Sequence, residues 1–372
     1  MKFFFIVFLL YTLVNMYIFR RGRSALSSAR PSRFAYNLLF FIFYSSFIIA
    51  MLGRNYLPLG LQKILYFIGT CWLGALLYLT LYFLITDCLY VLNSFFRFLP
   101  EKIAPLLLRR IQVVSGYLIV SIVLTAGYIQ FNRPVVVEKE ITIHKPGGKY
   151  RELKVAAFSD LHLGVQIDKK RLQKYVQLVN SQQPDIILIA GDLIDNNLLP
   201  LNWERMYEEI NQLQAPLGVY FCLGNHEYFS GIENSRKFLE KTNMNLLIDR
   251  AVQVGDSFWI IGRNDRLGGP RKPLSELVEQ TDTLQTLILL DHEPRFLDEA
   301  VQNGIDLQFS GHTHNGQLWP VNLLVKKIYD LAYSYRQKGK THFYVSSGLA
   351  LWGPPLRIGT QSELVVFHIR WD

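Results

Sequence analysis

The chain has 372 residues, half of them apolar, and a formal net charge of +9. Residues 1–132 hold twelve Lys and Arg against two acids, whereas residues 133–372 hold 27 against 28. The positive excess therefore lies among apolar runs, where it fits membrane topology and anionic lipid and argues against nucleic acid as a partner. Three cysteines with no CxxC or Cys/His spacing argue against a disulfide framework and a cysteine-based zinc site.

Apolar runs cover about 3–19, 35–52, 64–92 and 111–131. Each is long enough to cross a hydrocarbon core of about 30 Å as a helix. The first run reads as a retained span, because only Lys2 precedes it while Arg20, Arg21, Arg23, Arg30 and Arg33 follow. Asp87, the lone acid within the spans, is expected at an interface. Loop 20–34 carries five Arg and loop 93–110 carries Arg97, Lys102, Arg109 and Arg110, against Arg54 and Lys63 in loop 53–63. The positive-inside rule then places both termini, and everything after residue 132, outside the cytoplasm of a multi-pass cell-membrane protein. The cations that follow the last span, from Arg133 to Lys154, dissent from this orientation. Residues 1–132 thus form a transmembrane helical region and 133–151 a linker, with a short alternating segment from Val135 to His144.

From 152 to 372 the texture changes. Strand-like runs (Lys154–Ser159, Asp185–Ala190, Gly218–Leu223) alternate with helix-like ones near 168–182, 201–213 and 231–242. A helix-poor stretch follows, with strands at Phe258–Gly262, Leu284–Leu290, Leu307–Phe309, Phe343–Ser346 and Leu364–Ile369. This reads as a layered α/β domain with a second sheet.

Five apolar runs each end in an Asp, Asn or His. These are Asp160 and His162; Asp192 and, three residues on, Asp195; Asn225 and His226; Asp291 and His292; and His312 and His314. Parallel strands would bring these groups to one edge of the sheet. Nitrogen and oxygen donors without thiolate suit Mn, Fe, Zn or Mg. The set is too large for one ion. Two divalent ions about 3.5–4 Å apart, sharing the carboxylate of Asp192, would accommodate it, and such a pair activates water for in-line hydrolysis of a phosphate ester.

Asp160-x-His162, Gly191-Asp192-x-x-Asp195, Gly224-Asn225-His226-Glu227, His292 and Gly311-His312-x-His314 together resemble the motif series of the calcineurin-like metallophosphoesterases. The resemblance covers roughly 152–370. Gly311–Gln317 and Ser347 to Arg357 are similar to its membrane-associated branch, and the preceding helices to transmembrane proteins with a metallophosphoesterase domain. It implies a four-layer α/β/β/α sandwich with a dinuclear centre. Asp160, His162 and His314 would bind one ion and Asn225, His292 and His312 the other, with Asp192 bridging. His226 would touch the phosphate or protonate the leaving oxygen. Asp195 and Glu227 would orient His226 or a loop. Asp291 would point away from the site, and His144, His342 and His368 have no motif around them.

Two features stay open. Arg357 either pairs with a phosphate oxygen or forms an ordinary loop salt bridge. Segment 321–340 is either a lid or lipid-facing patch, or an amphipathic helix packed on the domain. The function expected is a membrane-anchored phosphoesterase cleaving a phosphodiester or pyrophosphate bond on a lipid-linked or cell-envelope substrate. A UDP-2,3-diacylglucosamine-type lipid A precursor faces the cytoplasm, so the loop count favours an exported phospholipid or envelope ester. The alternatives are a non-catalytic metal-binding scaffold, which the complete ligand series opposes, and a regulatory or transport role.

Overall fold

The computed structural model describes residues 2–26, 30–98 and 104–372; Lys102, counted above among the loop cations, lies outside them. The chain divides into two units, residues 1–129 with 354–356 and residues 130–353 with 357–372.

Among the described residues the first unit contains four helices, α1 (Lys2–Ala25), α2 (Arg30–Leu52), α3 (Leu59–Phe96) and α4 (Pro105–Phe131). Each is long and apolar enough to cross a membrane. They outrun the four apolar runs at most ends, because flanking polar residues continue the helix past the apolar stretch. α3 is apolar on nearly every face, the signature of a helix surrounded by lipid or protein rather than water. Polar groups inside the unit find each other. Trp72 Nε1 donates to Asn15 Oδ1 at 2.9 Å. Asp87 pairs with Arg21 and accepts from Tyr17 Oη at 2.7 Å, tying α3 to the end of α1.

The second unit follows in chain order with β1 (Val135–Ile143), β2 (Glu152–Phe158), α5 (Lys169–Ser181), β3 (Ile186–Ala190), α6 (Leu199–Trp203), α7 (Tyr207–Ile210), β4 (Val219–Cys222), α8 (Asn225–Phe229) and α9 (Ile232–Leu239). Then come β5 (Asn245–Leu247), β6 (Arg250–Val254), β7 (Phe258–Gly262), α10 (Leu274–Val278), β8 (Thr286–Leu290), α11 (Leu297–Gln302) and β9 (Leu307–Ser310). The chain closes with α12 (Val321–Ile328), β10 (Ser334–Lys338), β11 (Thr341–Val345) and β12 (Glu363–Trp371).

Two six-stranded sheets result, ordered β1-β12-β2-β3-β4-β5 and β10-β11-β9-β8-β7-β6. Strands β2 to β5 are mutually parallel, as are β7, β8, β9 and β11. Side chains alternate between the two faces of each strand. In β3, Ile187 and Ile189 pack with Leu172 and Val176 of α5, while Ile186 and Leu188 face the other sheet. In β8, Ile288 and Leu290 join that inter-sheet core, and Leu287 and Leu289 pack with Leu274 of α10 and Leu297 of α11. Both sheets are therefore covered outside by helices and packed on each other inside, which makes four layers, α/β/β/α.

Two expectations are corrected. Residues 135–143 are not a linker but β1, an edge strand running parallel to β12 from Val135↔Glu363 to Ile143↔Trp371. Its β-branched alternation buries Ile141 and Ile143 in the inter-sheet core. The single helix expected near 201–213 is two short ones, broken at Arg205, whose φ of +50° lies in the left-handed region that helices avoid.

If β1 is an integral strand, Ile141→Ala should cost about 2–4 kcal/mol, the usual penalty for truncating a buried aliphatic side chain. Thermal unfolding of the detergent-solubilised full chain measures this; a linker residue would leave the midpoint unmoved.

Candidate metal centre

The parallel strands of the two sheets end at a common edge, and there the backbone turns abruptly. Asp160, His162, Asp192, His312 and His314 all have φ between +47° and +69°. Left-handed backbone is unfavourable for residues with a Cβ, and it concentrates where surrounding structure forces it. Five of the seven expected metal ligands are held this way, which aims side chains inward from turns too tight for ordinary conformations. Two glycines make room for them. A Cβ on Gly191 (φ +77°) would lie 2.5 Å from His292 Nδ1, and one on Gly311 would lie 2.3 Å from Asp160 Oδ2.

The side chains converge in three groups that could hold metal ions: Asp160–His162–His314, Asp192–His292–His312, and His162–Asp195–His226, which shares His162 with the first. In the first, His314 Nε2 lies 3.4 Å from Asp160 Oδ1 and 3.1 Å from His162 Nε2, and His162 Nε2 lies 3.8 Å from Asp160 Oδ1. In the second, His292 Nε2 lies 3.1 Å from Asp192 Oδ2 and 3.3 Å from His312 Nδ1, which is itself 2.8 Å from Asn225 Oδ1. Asp192 Oδ2 also lies 3.8 Å from His162 Nε2, so one carboxylate oxygen faces both clusters.

These residues fit divalent ions. Donors bound at about 2.1 Å to one ion stand roughly 3.0–3.5 Å apart, close to the spacings seen here. His292 Nδ1 donates to the Ala190 carbonyl at 2.7 Å, which leaves Nε2 as the nitrogen that faces Asp192 and that would serve as a ligand once deprotonated. Burial pushes His314 down to about 3, hence to the neutral, ligating form, despite the pull of Asp160. Burial acts against ionisation of Asp192, yet His292 and His162 hold it well below the usual carboxylate range. Burial likewise opposes charge on His292, but the Asp192 and Asp160 carboxylates raise it well above its ordinary value. The acidic pocket thus recruits positive charge even from a buried imidazole.

Around this set stand the positioning residues. Burial, reinforced by the charge of Asp192, pushes Glu227 up to about 7; its carboxyl accepts from the Asp192, Ile194 and Gly224 amides at 2.8–3.1 Å. It thereby ties the turn after β3 to the turn after β4. Ser159 Oγ donates to Asp160, and the His312 amide lies 3.1 Å from the same carboxylate. His226 lies beside the first cluster. Its amide donates to Asp192 Oδ1 at 2.9 Å, and its Nδ1 donates to the Asp195 carbonyl at 2.8 Å with the Asp195 carboxylate 3.4 Å away. Burial would lower His226, but Asp195 and Asp192 raise it to about 9. Asp291 turns away from its neighbour His292 and takes Arg271 in a two-pronged pair at 2.9 and 3.1 Å.

Arg357 requires correction. Its guanidinium is fully buried and donates to the carbonyls of His314 (2.9 Å), Ser347 (2.6 Å), Gly348 (3.3 Å) and Ala350 (2.6 Å). It meets neither a phosphate site nor a loop carboxylate; it gathers loop carbonyls behind His314. His144, His342 and His368 lie elsewhere, paired with Asp372, Tyr335 and the Glu138–Glu152 pair.

The sequence reading missed Glu293. Its Oε1 lies 3.8 Å from His312 Nε2 and accepts from Tyr329 Oη at 3.1 Å, and Arg295 and Arg266 flank it. A second acid directly after a candidate ligand histidine was the available signal. Also unforeseen were the rings at the mouth. Phe229 and Trp352 stand 5.3 and 6.4 Å from the His226 ring, and Tyr329 6.1 Å from His312.

Residues 153–316 match the family model described as calcineurin-like phosphoesterase. An uncharacterized metallophosphoesterase of Campylobacter jejuni is 30% identical over 381 residues, covering 98% of this chain and 97% of that one. Another from Helicobacter pylori is 32% identical over 243 residues, 64% of each chain. A Bos taurus protein described as a transmembrane protein with metallophosphoesterase domain is 31% identical over 250 residues, 62% of this chain and 56% of that one.

The full chain purified with Mn²⁺ should carry two equivalents of metal by elemental analysis. His292→Ala and His314→Ala should each remove about one, from opposite clusters, with the secondary structure read by circular dichroism unchanged. An unchanged metal content in either variant would remove that histidine from the ligand set.

Proposed function

The chain belongs to the calcineurin-like metallophosphoesterase family, and from that membership we propose that it is a membrane-anchored phosphoric ester hydrolase with two divalent metal ions. The observation that carries this reading is the Asp192 carboxylate, whose Oδ2 faces His292 at 3.1 Å and His162 at 3.8 Å across two clusters. When bound there, a metal pair supplies Lewis acidity to the phosphoryl oxygens and an activated water.

The protein's own groups define the remaining steps. Asp160, His162 and His314 hold one side of the phosphate site, and Asn225, His292 and His312 the other. His226, held by Asp195, carries a proton on Nε2 and delivers it to the departing oxygen of the ester. Asp195 positions the ring so that Nε2 faces outward from its Nδ1 anchor. Glu227 keeps the Asp192 and Asn225 turns in register through the amides it accepts. The four apolar helices favour a lipid-linked or cell-envelope phosphodiester or pyrophosphate, because confinement to a bilayer raises the encounter rate with such a substrate. The arginine-rich loops favour an extracytoplasmic domain, and hence an exported phospholipid or envelope ester over a UDP-2,3-diacylglucosamine-type precursor.

With Mn²⁺ the full chain should hydrolyse bis-p-nitrophenyl phosphate, and Asp192→Asn should abolish turnover. Retained activity in that variant would overturn the bridging role. His226→Asn should slow an alkyl phosphodiester by about 10²–10⁴-fold. It should slow the p-nitrophenyl ester far less, since that leaving group departs without a proton; equal losses would make His226 a binding group.

For orientation, Glu140→Cys introduces a thiol at an exposed position of β1. With Cys71 and Cys88 replaced by alanine, it should react with a membrane-impermeant maleimide in intact cells. Labelling only after lysis would put the domain in the cytoplasm and return the lipid A precursor to first place.

A further inference from the structure

The loops that carry the metal ligands also carry most of the second unit's exposed large apolar side chains. Six of the ten such residues lie there; Leu267 and Trp352 lie on the loops after β7 and β11, and Trp203 and Leu284 elsewhere. α12 follows directly after the His314 turn. Its Leu323, Leu324 and Ile328 are each more than half exposed, with Lys326 and Lys327 exposed beside them. The helix leads into Tyr329, whose ring stands 6.1 Å from that of His312. Across the site, exposed Phe229 and Trp352 stand beside His226. The metal centre is thus rimmed on both sides by apolar surface, and the cations on α12 belong to the same rim.

A water-facing helix does not ordinarily present three branched aliphatic side chains, and patches of this kind mark an interaction surface. Leu side chains interleaved with Lys on one short helix suit the boundary between headgroups and acyl chains, where the aliphatic groups enter and the ammonium groups meet anionic phosphate. The bilayer is also the surface within reach of every copy of this chain. Only residues 132–134 separate α4 from β1.

We propose that the α12 rim docks on the anionic lipid surface and that the substrate enters from it as an acylated phosphodiester, its headgroup phosphate reaching the metal ligands while its acyl chains stay in lipid. This rests on the hydrolase reading above and specifies its substrate class.

The test uses the full chain in phosphatidylcholine–phosphatidylglycerol vesicles, with Cys71 and Cys88 replaced by alanine; Cys222 is buried. An environment-sensitive fluorophore on Leu324→Cys should be quenched by bromine on the acyl chains, and the same fluorophore on Leu284→Cys should not. Equal quenching at the two positions overturns the docking. In the unlabelled protein, joint Leu323→Ser, Leu324→Ser and Ile328→Ser substitution should lower turnover of phosphatidyl-p-nitrophenol roughly tenfold or more. Bis-p-nitrophenyl phosphate should be hydrolysed at the unaltered rate. Wild-type turnover of the lipid ester by the triple variant overturns the proposed route. If the unaltered protein cleaves neither ester, the hydrolase reading fails, and quenching still decides the docking.

Discussion

The second unit is arranged around a buried negative charge. Asp192 is 2% exposed and stays ionised at the meeting point of two sheets. A carboxylate in such a place is costly unless opposite charge and hydrogen bonds offset the lost hydration. Its Oδ1 takes the His226 amide, and its Oδ2 faces His292 and His162. Each partner belongs to a different strand end. Charge compensation at one residue therefore dictates where β2, β4 and β8 must stop and how sharply the chain must turn after them.

The same requirement explains the strained turns. A loop in ordinary extended or helical conformation would carry Asp160 or His314 past the pocket. Left-handed backbone at five of the expected ligand positions folds the chain back within one or two residues. Glu227 and Arg357 then hold the turns from behind. One gathers three amides and the other four carbonyls, a complementary pair of buried clamps. Neither needs to touch a substrate to matter to it.

The strand ends were readable in the sequence because each is a short apolar run closed by a polar residue, a signal that survives without knowledge of pairing. The four-layer arrangement followed from the family resemblance, and the side-chain alternation in β3 and β8 gives its physical basis. β1 was not readable as part of the sheet. Its partner, β12, lies more than 200 residues away, and a nine-residue alternating segment says nothing about where its partner will come from. Neither reading of Arg357 held, for a related reason: an arginine beside a metal motif suggests an anion or a carboxylate partner, whereas four carbonyls converging from a loop leave no trace in local composition. α12 shows the opposite limit. Its amphipathic character was visible, but which face would be covered by protein depended on the path of the loops around it.

The position of β12 has a consequence for how the protein is made. This strand lies between β1 and β2, pairing with both, so the edge of the first sheet is assembled from segments far apart in the chain. Until residues 363–371 emerge from the ribosome, β1 has no strand to pair with and β2 has an open edge. The four apolar helices are complete long before that. Formation of the two units is therefore split in time: the apolar helices are complete early, and closure of the first sheet waits for residues 363–371. Non-local pairing of this kind folds slowly and leaves sticky edges exposed meanwhile. A chain interrupted before β12 would leave β1 and β2 without the strand that joins them.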